Sequence, residues 1–324
     1  MTLHKFGSIL WAVLATLPLA ANAADRSQSS SSDSEKGSAS AEIRRSNASY
    51  SYRGTGISPL EGAIGDALAR FGGGATPTGE IALLEVAKPM IAPGGGGAVI
   101  GADQRKTIAA TKRAPYRWVA LITFNDGSAD RSCTGWFISK NMVATAAHCL
   151  HPGSGGAGAF YPKSSYTIYP GANGLATPYG SCGATRLFAT GRWTQRGNDQ
   201  FDFGAIKLDC NIGTTVGWFG YFWKKGSLKR QRTLIAGYPD DKPAATMWRS
   251  KGRITVSQKR RVFYKNDTAD GMDGAPVYFK RRGCGTCAMA VHTRGTYGNP
   301  PFSTNNHGTR ITKAVFRNFN RWKK

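Results

Sequence analysis

Three short stretches carry residue types that could act together in nucleophilic chemistry: TAAHC (145–149), FDFGAIKL (201–208) and DTADGMDGAPVY (267–278). An imidazole such as that of His148 takes up and returns a proton near neutral pH. A carboxylate such as that of Asp202 can hold such a ring in one tautomer. A glycine-rich turn before an apolar strand is a common place to display a nucleophile, yet the centre of this turn is Asp273. Each stretch has a plainer reading. A histidine at a strand end is often structural, Asp202 could merely open its strand, and the turn could be only a turn. Cys149, sixteen residues after Cys133, favours the chemical reading, because a bond between them would staple the strand and turn that present His148.

The elements around these residues read as short strands separated by turns. YRWVALITF (116–124) runs into an Asn-Asp-Gly turn, and TGWFI (134–138) and MVATA (142–146) flank Ser139-Lys140-Asn141. TLIAGYP (233–239), RRVFY (260–264), APVYF (275–279) and AMAVHT (288–293) follow the same pattern. Only the end of the chain has helical spacing, with Ile311, Val315, Phe319 and Trp322 on one face. Many short strands and one terminal helix predict an all-β sandwich or a pair of barrels.

Outside these stretches the composition divides the chain. Lys5, an apolar run from Ile9 to Ala21 and the small-residue site Ala21-Asn22-Ala23 predict a secretory signal peptide over residues 1–23. The run is too short to span a membrane, and no later segment reaches the necessary length. The exported protein is then extracellular or periplasmic, where all six cysteines, between 133 and 287, can form disulfides. Residues 24–98 contain SQSSSSDSEKGSAS and PGGGG and few aromatics. Such a composition buries too little apolar surface to offset chain entropy, and it reads as a low-complexity pro-segment or linker, or a plain disordered tail, with one short helix hinted at over 57–70. The remaining span, 99–324, holds thirty-five basic and eleven acidic residues and so the whole excess of the +24 formal charge. That surface suits an anionic cell surface or polysaccharide. No helix-turn-helix, finger or stacking signature is present, which argues against specific nucleic-acid recognition. All eleven acidic residues in this span are Asp, although five Glu precede it. A protease cutting after Glu would gain resistance to its own activity from that bias.

The order His148, Asp202, then a turn with two glycines before Pro-Val-Tyr, resembles chymotrypsin-like serine proteases. SCTGWFIS…TAAHC, YGSCGATRLF, FDFGAIKLDCNIG, VGWFGY and the 267–278 turn make 99–322 most similar to their V8-type, or glutamyl endopeptidase, branch. The resemblance implies two six-stranded β-barrels with a C-terminal helix and a catalytic cleft between the barrels. It also implies that His148 is the general base and that Asp202, rather than nearby Asp199, orients it. The N–H groups of Gly271 and residue 273 become the oxyanion hole, and Thr268 and His292 become the binders of an acidic P1 side chain. A competing reading places Asp267 at the base of a trypsin-like pocket. The sequence Val99-Ile100-Gly101 matches the mature start of this branch, so processing before Val99 would free an amino group that supports P1 binding.

The departure is at 273, where the family has serine. A carboxylate attacking an amide would form a mixed anhydride while expelling an amine, and the reverse step is favoured. Asp273 is expected to pair with His148, at about 4 Å and an effective dielectric near 20 a contact on the order of 4 kcal/mol before desolvation. It would raise the imidazole pKa and push an oxygen towards the oxyanion hole. The resemblance supports Cys133–Cys149 and Cys182–Cys210 as disulfides. Cys284 and Cys287 form a CxxC that could be a redox motif, half a zinc site or a small disulfide loop; the loop is preferred because zinc needs two further ligands. No cofactor or metal is expected, and the protein is read as a monomer acting on protein or peptide substrates. The chain is thus expected to be a silent or severely impaired protease homologue, a pseudoenzyme made as a zymogen. The alternatives are an active secreted endopeptidase and a polyanion-binding module.

Overall fold

A computed structural model describes residues 96–153 and 158–324, together with the backbone of four short strands further upstream. The expected signal peptide and the hinted helix over 57–70 lie outside the described residues.

The first barrel is built from β1 (Val119–Asn125), β2 (Asp130–Ser139), β3 (Met142–Thr145), β4 (Thr167–Pro170), β5 (Cys182–Thr190) and β6 (Gly204–Leu208). The antiparallel order β5-β6-β3-β2-β1-β4 closes through a β4–β5 pairing. The connector strand β7 (Gly220–Lys224) then leads to the second barrel. That barrel comprises β8 (Arg232–Gly237), β9 (Trp248–Ser257), β10 (Arg261–Tyr264), β11 (Pro276–Arg281), β12 (Gly285–Arg294) and β13 (Asn306–Arg310). Its order is β8-β9-β10-β13-β12-β11, closed by β8–β11. Of the two expected all-β architectures, the chain adopts the barrel pair: two closed six-stranded barrels, chymotrypsin-like, with a terminal helix.

Closure removes the exposed strand edges that would invite association. It also makes polar strands possible. Asn306–Arg310 is buried at every position, and Asn306 and Arg310 find hydrogen-bond partners there. Asn306 donates to the Asn266 carbonyl at 2.7 Å, and Arg310 donates to the Lys224 and Gln258 carbonyls at 2.8 and 3.0 Å.

The terminal helix Lys313–Trp322 starts at Thr312, whose hydroxyl accepts from the Val315 N–H. Its buried face packs Phe319 edge-on against Trp136, Phe203 and Tyr221, with ring centroids 5.5–5.9 Å apart. The expected face of Ile311, Val315, Phe319 and Trp322 is therefore the buried one. Two one-turn helices, Gly191–Thr194 and Gly213–Val216, were not expected. A single turn is too short to leave a hydrophobic period in the sequence.

All six cysteines are bridged: Cys133–Cys149, Cys182–Cys210 and Cys284–Cys287. The last closes the β11–β12 hairpin, so the CxxC is the small structural loop.

Candidate active site

The first barrel supplies an imidazole and a carboxylate. β3 runs into the short turn Ala147–Cys149, which the Cys133 bridge ties back to β2, and this turn presents His148. Asp202 ends the short turn Asp199–Phe201 just before β6, and both groups are buried. One Asp202 oxygen accepts the His148 backbone N–H at 3.0 Å, while the other lies 2.7 Å from His148 Nδ1. Asp202 thus fixes both the turn and the ring, leaving Nε2 to face the other barrel. Asp199 instead pairs with Arg294 at 3.0 Å and Arg261 at 3.8 Å, at the seam between barrels.

The second barrel supplies the turn 267–275. Gly271 has φ +81, and a Cβ there would lie 2.4 Å from the Tyr238 carbonyl oxygen; Gly274 has φ +90, and a Cβ there would lie 2.1 Å from the Thr134 oxygen. Both positions therefore require glycine. Thr134 of the first barrel pins this turn: its N–H donates to the Asp273 carbonyl and its hydroxyl to the Gly271 carbonyl, both at 2.8 Å. Its hydroxyl also accepts the Tyr238 N–H at 3.0 Å. The Gly271 and Asp273 carbonyls point at Thr134, and the described residues supply no acceptor for the N–H groups of these two residues. Such a donor pair can stabilise a developing oxyanion.

Asp273 is buried between two histidines. Its Oδ2 is 3.7 Å from His148 Nε2 and its Oδ1 is 3.8 Å from His292 Nε2. Neither contact is a hydrogen bond, since neither carboxylate oxygen nor either Nε2 has a hydrogen-bond partner among the described residues, and only the one to His148 pairs opposite charges at neutral pH. The expected proximity to His148 is present. The expected occupation of the N–H pair is not: the carboxylate turns to the imidazoles, where the charged His148 attracts it more strongly than neutral donors do. Burial opposes charge on His148, but the Asp202 carboxylate, by charge and hydrogen bond, and then Asp273 overcome it and raise its pKa to about 10. For Asp202 burial works upward, and His148 and Arg294 overcome it to hold the pKa below the ordinary value.

His292, on β12, meets the Tyr264 hydroxyl through Nδ1 at 2.7 Å. Burial pushes its pKa down to about 4, against the attraction of Asp273. Thr268 is fully buried, and its hydroxyl and N–H are both taken by Ala98: Thr268 Oγ1 accepts the Ala98 N–H at 3.3 Å and its N–H donates to the Ala98 carbonyl at 3.1 Å. Asn306 Oδ1 also accepts the Ala98 N–H, at 3.0 Å. Residues 96–98 lie in a slot against 268–270 and Gly295, so closely that a Cβ on Gly97 would sit 2.4 Å from the Ala269 nitrogen. Asp267 has no part in a pocket base: its two oxygens accept the N–H groups of Ile100 and Gln104, each at 2.9 Å. Sequence reasoning did not find Thr134, Tyr264 or Asn306, which join elements far apart in the chain and leave no spacing signal.

Two closed barrels with an oriented imidazole on one and a glycine-shaped donor turn on the other define a trypsin-like serine protease scaffold. The chain belongs to that family: its description, Trypsin, matches residues 107–274. It is 42% identical over 243 residues to the glutamyl endopeptidase of Bacillus licheniformis, covering 74% of this chain and 73% of the relative. It is also 34% identical over 227 residues to a Bacillus subtilis protein named extracellular metalloprotease, covering 69% of each. Among solved structures, a Glu endopeptidase in complex with MPD aligns with a TM-score of 0.61 at 31% identity, over 70% of this chain and 99% of that one.

Proposed function

We propose that this chain is an exported homologue of the glutamyl endopeptidases that binds Glu- or Asp-containing chains in its cleft but hydrolyses them slowly or not at all. One observation carries the reading: a carboxylate, not a hydroxyl, faces His148 in an otherwise assembled site, 3.7 Å from Nε2. A serine would hand its proton to a neutral Nε2 as it attacks. Here the pKa of about 10 keeps the imidazole charged at neutral pH, so it cannot act as the base. Asp273 would have to attack unaided, forming an anhydride that the released amine reverses.

The acidic preference is supported by His292 and Thr268. With the Tyr264 hydroxyl donating to Nδ1, the neutral His292 ring carries its proton on Nε2, available to an incoming carboxylate. The Thr268 hydroxyl lies in the same region but is engaged by Ala98 in the uncut chain. Cleavage before Val99 would release residues 96–98 from the slot and place a new amino group beside it, which is the zymogen reading. The absence of Glu from 99–324 supports an ancestral cleavage after Glu, and it favours the second reading, an active endopeptidase. A fluorogenic Glu-peptide assay on the protein cut before Val99 separates the two. The silent reading expects no turnover above background. Turnover abolished by Asp273→Ala would make Asp273 a working nucleophile.

A further inference from the structure

We propose that a groove on the outer wall of the second barrel is a binding site for an acidic polysaccharide, separate from the protease cleft and independent of whether that cleft works. The groove is an open depression of about 820 Å³ across β8, β9 and β11. Arg232, Lys251, Arg253 and Lys280 stand exposed around it, Lys265 borders it, and Leu234 and Phe279 form its half-buried floor.

The arrangement follows from strand register. Arg232 lies directly opposite Arg253, and Leu234 opposite Lys251, on the β8–β9 ladder. Like charges directly opposite one another on a ladder repel, and no carboxylate among the described residues forms an ion pair with Arg232, Lys251, Arg253 or Lys280. The few carboxylates that form ion pairs do so away from the groove, as when Arg105 holds Asp103 and Asp241 and Arg131 holds Asp126. Only Lys265 is spent locally, on the Thr304 carbonyl. The groove therefore concentrates positive charge in a concave site, at a cost to the free protein, and a bound polyanion would relieve that cost.

The floor selects the kind of polyanion. Leu234 and a half-buried Phe279 suit the apolar C–H face of a sugar ring whose carboxylate or sulfate groups reach the rim. A nucleic-acid strand calls for successive aromatic faces on which bases stack. The groove has one ring, packed edge-on against Phe222 at 5.5 Å.

The test measures binding of a size-defined heparin octasaccharide to the full chain at low salt. Beside it runs a single-stranded oligonucleotide of equal charge. The variant Arg232→Gln/Lys251→Gln/Arg253→Gln/Lys280→Gln is expected to weaken octasaccharide binding about tenfold or more, while its thermal midpoint without ligand stays level or rises as the repulsion is removed. A control with equal charge loss elsewhere, Lys225→Gln/Lys229→Gln/Arg317→Gln/Lys324→Gln, is expected to bind within about twofold of wild type. Equal losses in both variants would make the attraction a property of net charge and overturn the site. Oligonucleotide binding as tight as the octasaccharide, and lost with the groove charges, would overturn the polysaccharide assignment.

Discussion

At the residue scale, a buried carboxylate between two imidazoles sets their charges apart. His148, with Asp202 behind it and Asp273 before it, is held protonated to about pH 10, whereas burial keeps His292 neutral down to about pH 4. The linkage signs are opposite. The raised pKa of His148 contributes stability that is complete below the ordinary histidine value of 6.5 and is lost as pH rises through about 10. The lowered pKa of His292 contributes stability that is complete above 6.5 and is lost as pH falls through about 4. Imidazole NMR across this range should show two resonances titrating at the two ends, and Asp273→Asn should move the His148 titration downward. A His148 titrating near 6.5 with Asp273 intact would contradict the assigned pairing. His148, Asp202, Thr268, His292 and the donor turn could all be named from ordered sequence motifs, because each sits inside a contiguous segment. The orientation of Asp273 could not. It depends on His292, nineteen residues further on, and on packing that decides which way two oxygens face.

At the element scale, the turn that shapes the site is held from the opposite barrel. Thr134 on β2 makes three hydrogen bonds to the Gly271 and Asp273 carbonyls and the Tyr238 N–H. Thr134→Val keeps the shape of the side chain but removes the hydroxyl, leaving a buried carbonyl and a buried N–H unpaired. A loss of about 1–3 kcal/mol in denaturant unfolding is expected, and an unchanged midpoint would count against the clamp. Most of the apolar strands were legible because alternation and turn residues marked them, but Thr167–Pro170, Cys182–Thr190 and Gly220–Lys224 were not read as strands. Asn306–Arg310 and much of Trp248–Ser257 were not. They are rich in polar and basic residues, and the partners that let Asn306 and Arg310 be buried come from distant strands and from Ala98. The terminal helix was legible from its 3.6-residue period, and the two single-turn helices carry none.

At the scale of the whole molecule, the terminal helix and the segment before Val99 act across elements. Phe319 contacts Trp136 and Phe203 of the first barrel and Tyr221 of the connector strand. Phe319→Ala should therefore cost about 3–5 kcal/mol, read as a lowered unfolding midpoint. Residues 96–98 occupy the slot beside Thr268, so cutting before Val99 should free it for a Glu-containing peptide. The central claim is that a trypsin-family scaffold with an assembled imidazole, carboxylate and donor turn is silenced at one side chain. The most direct measurement is Glu-peptide turnover by the cut protein, as wild type and as Asp273→Ser. In a triad enzyme of unrelated fold, loss of the serine costs about 10⁶ in turnover. The account predicts background turnover for wild type and a gain of about 10³-fold or more for Asp273→Ser. Robust wild-type turnover that persists in Asp273→Ala would contradict it.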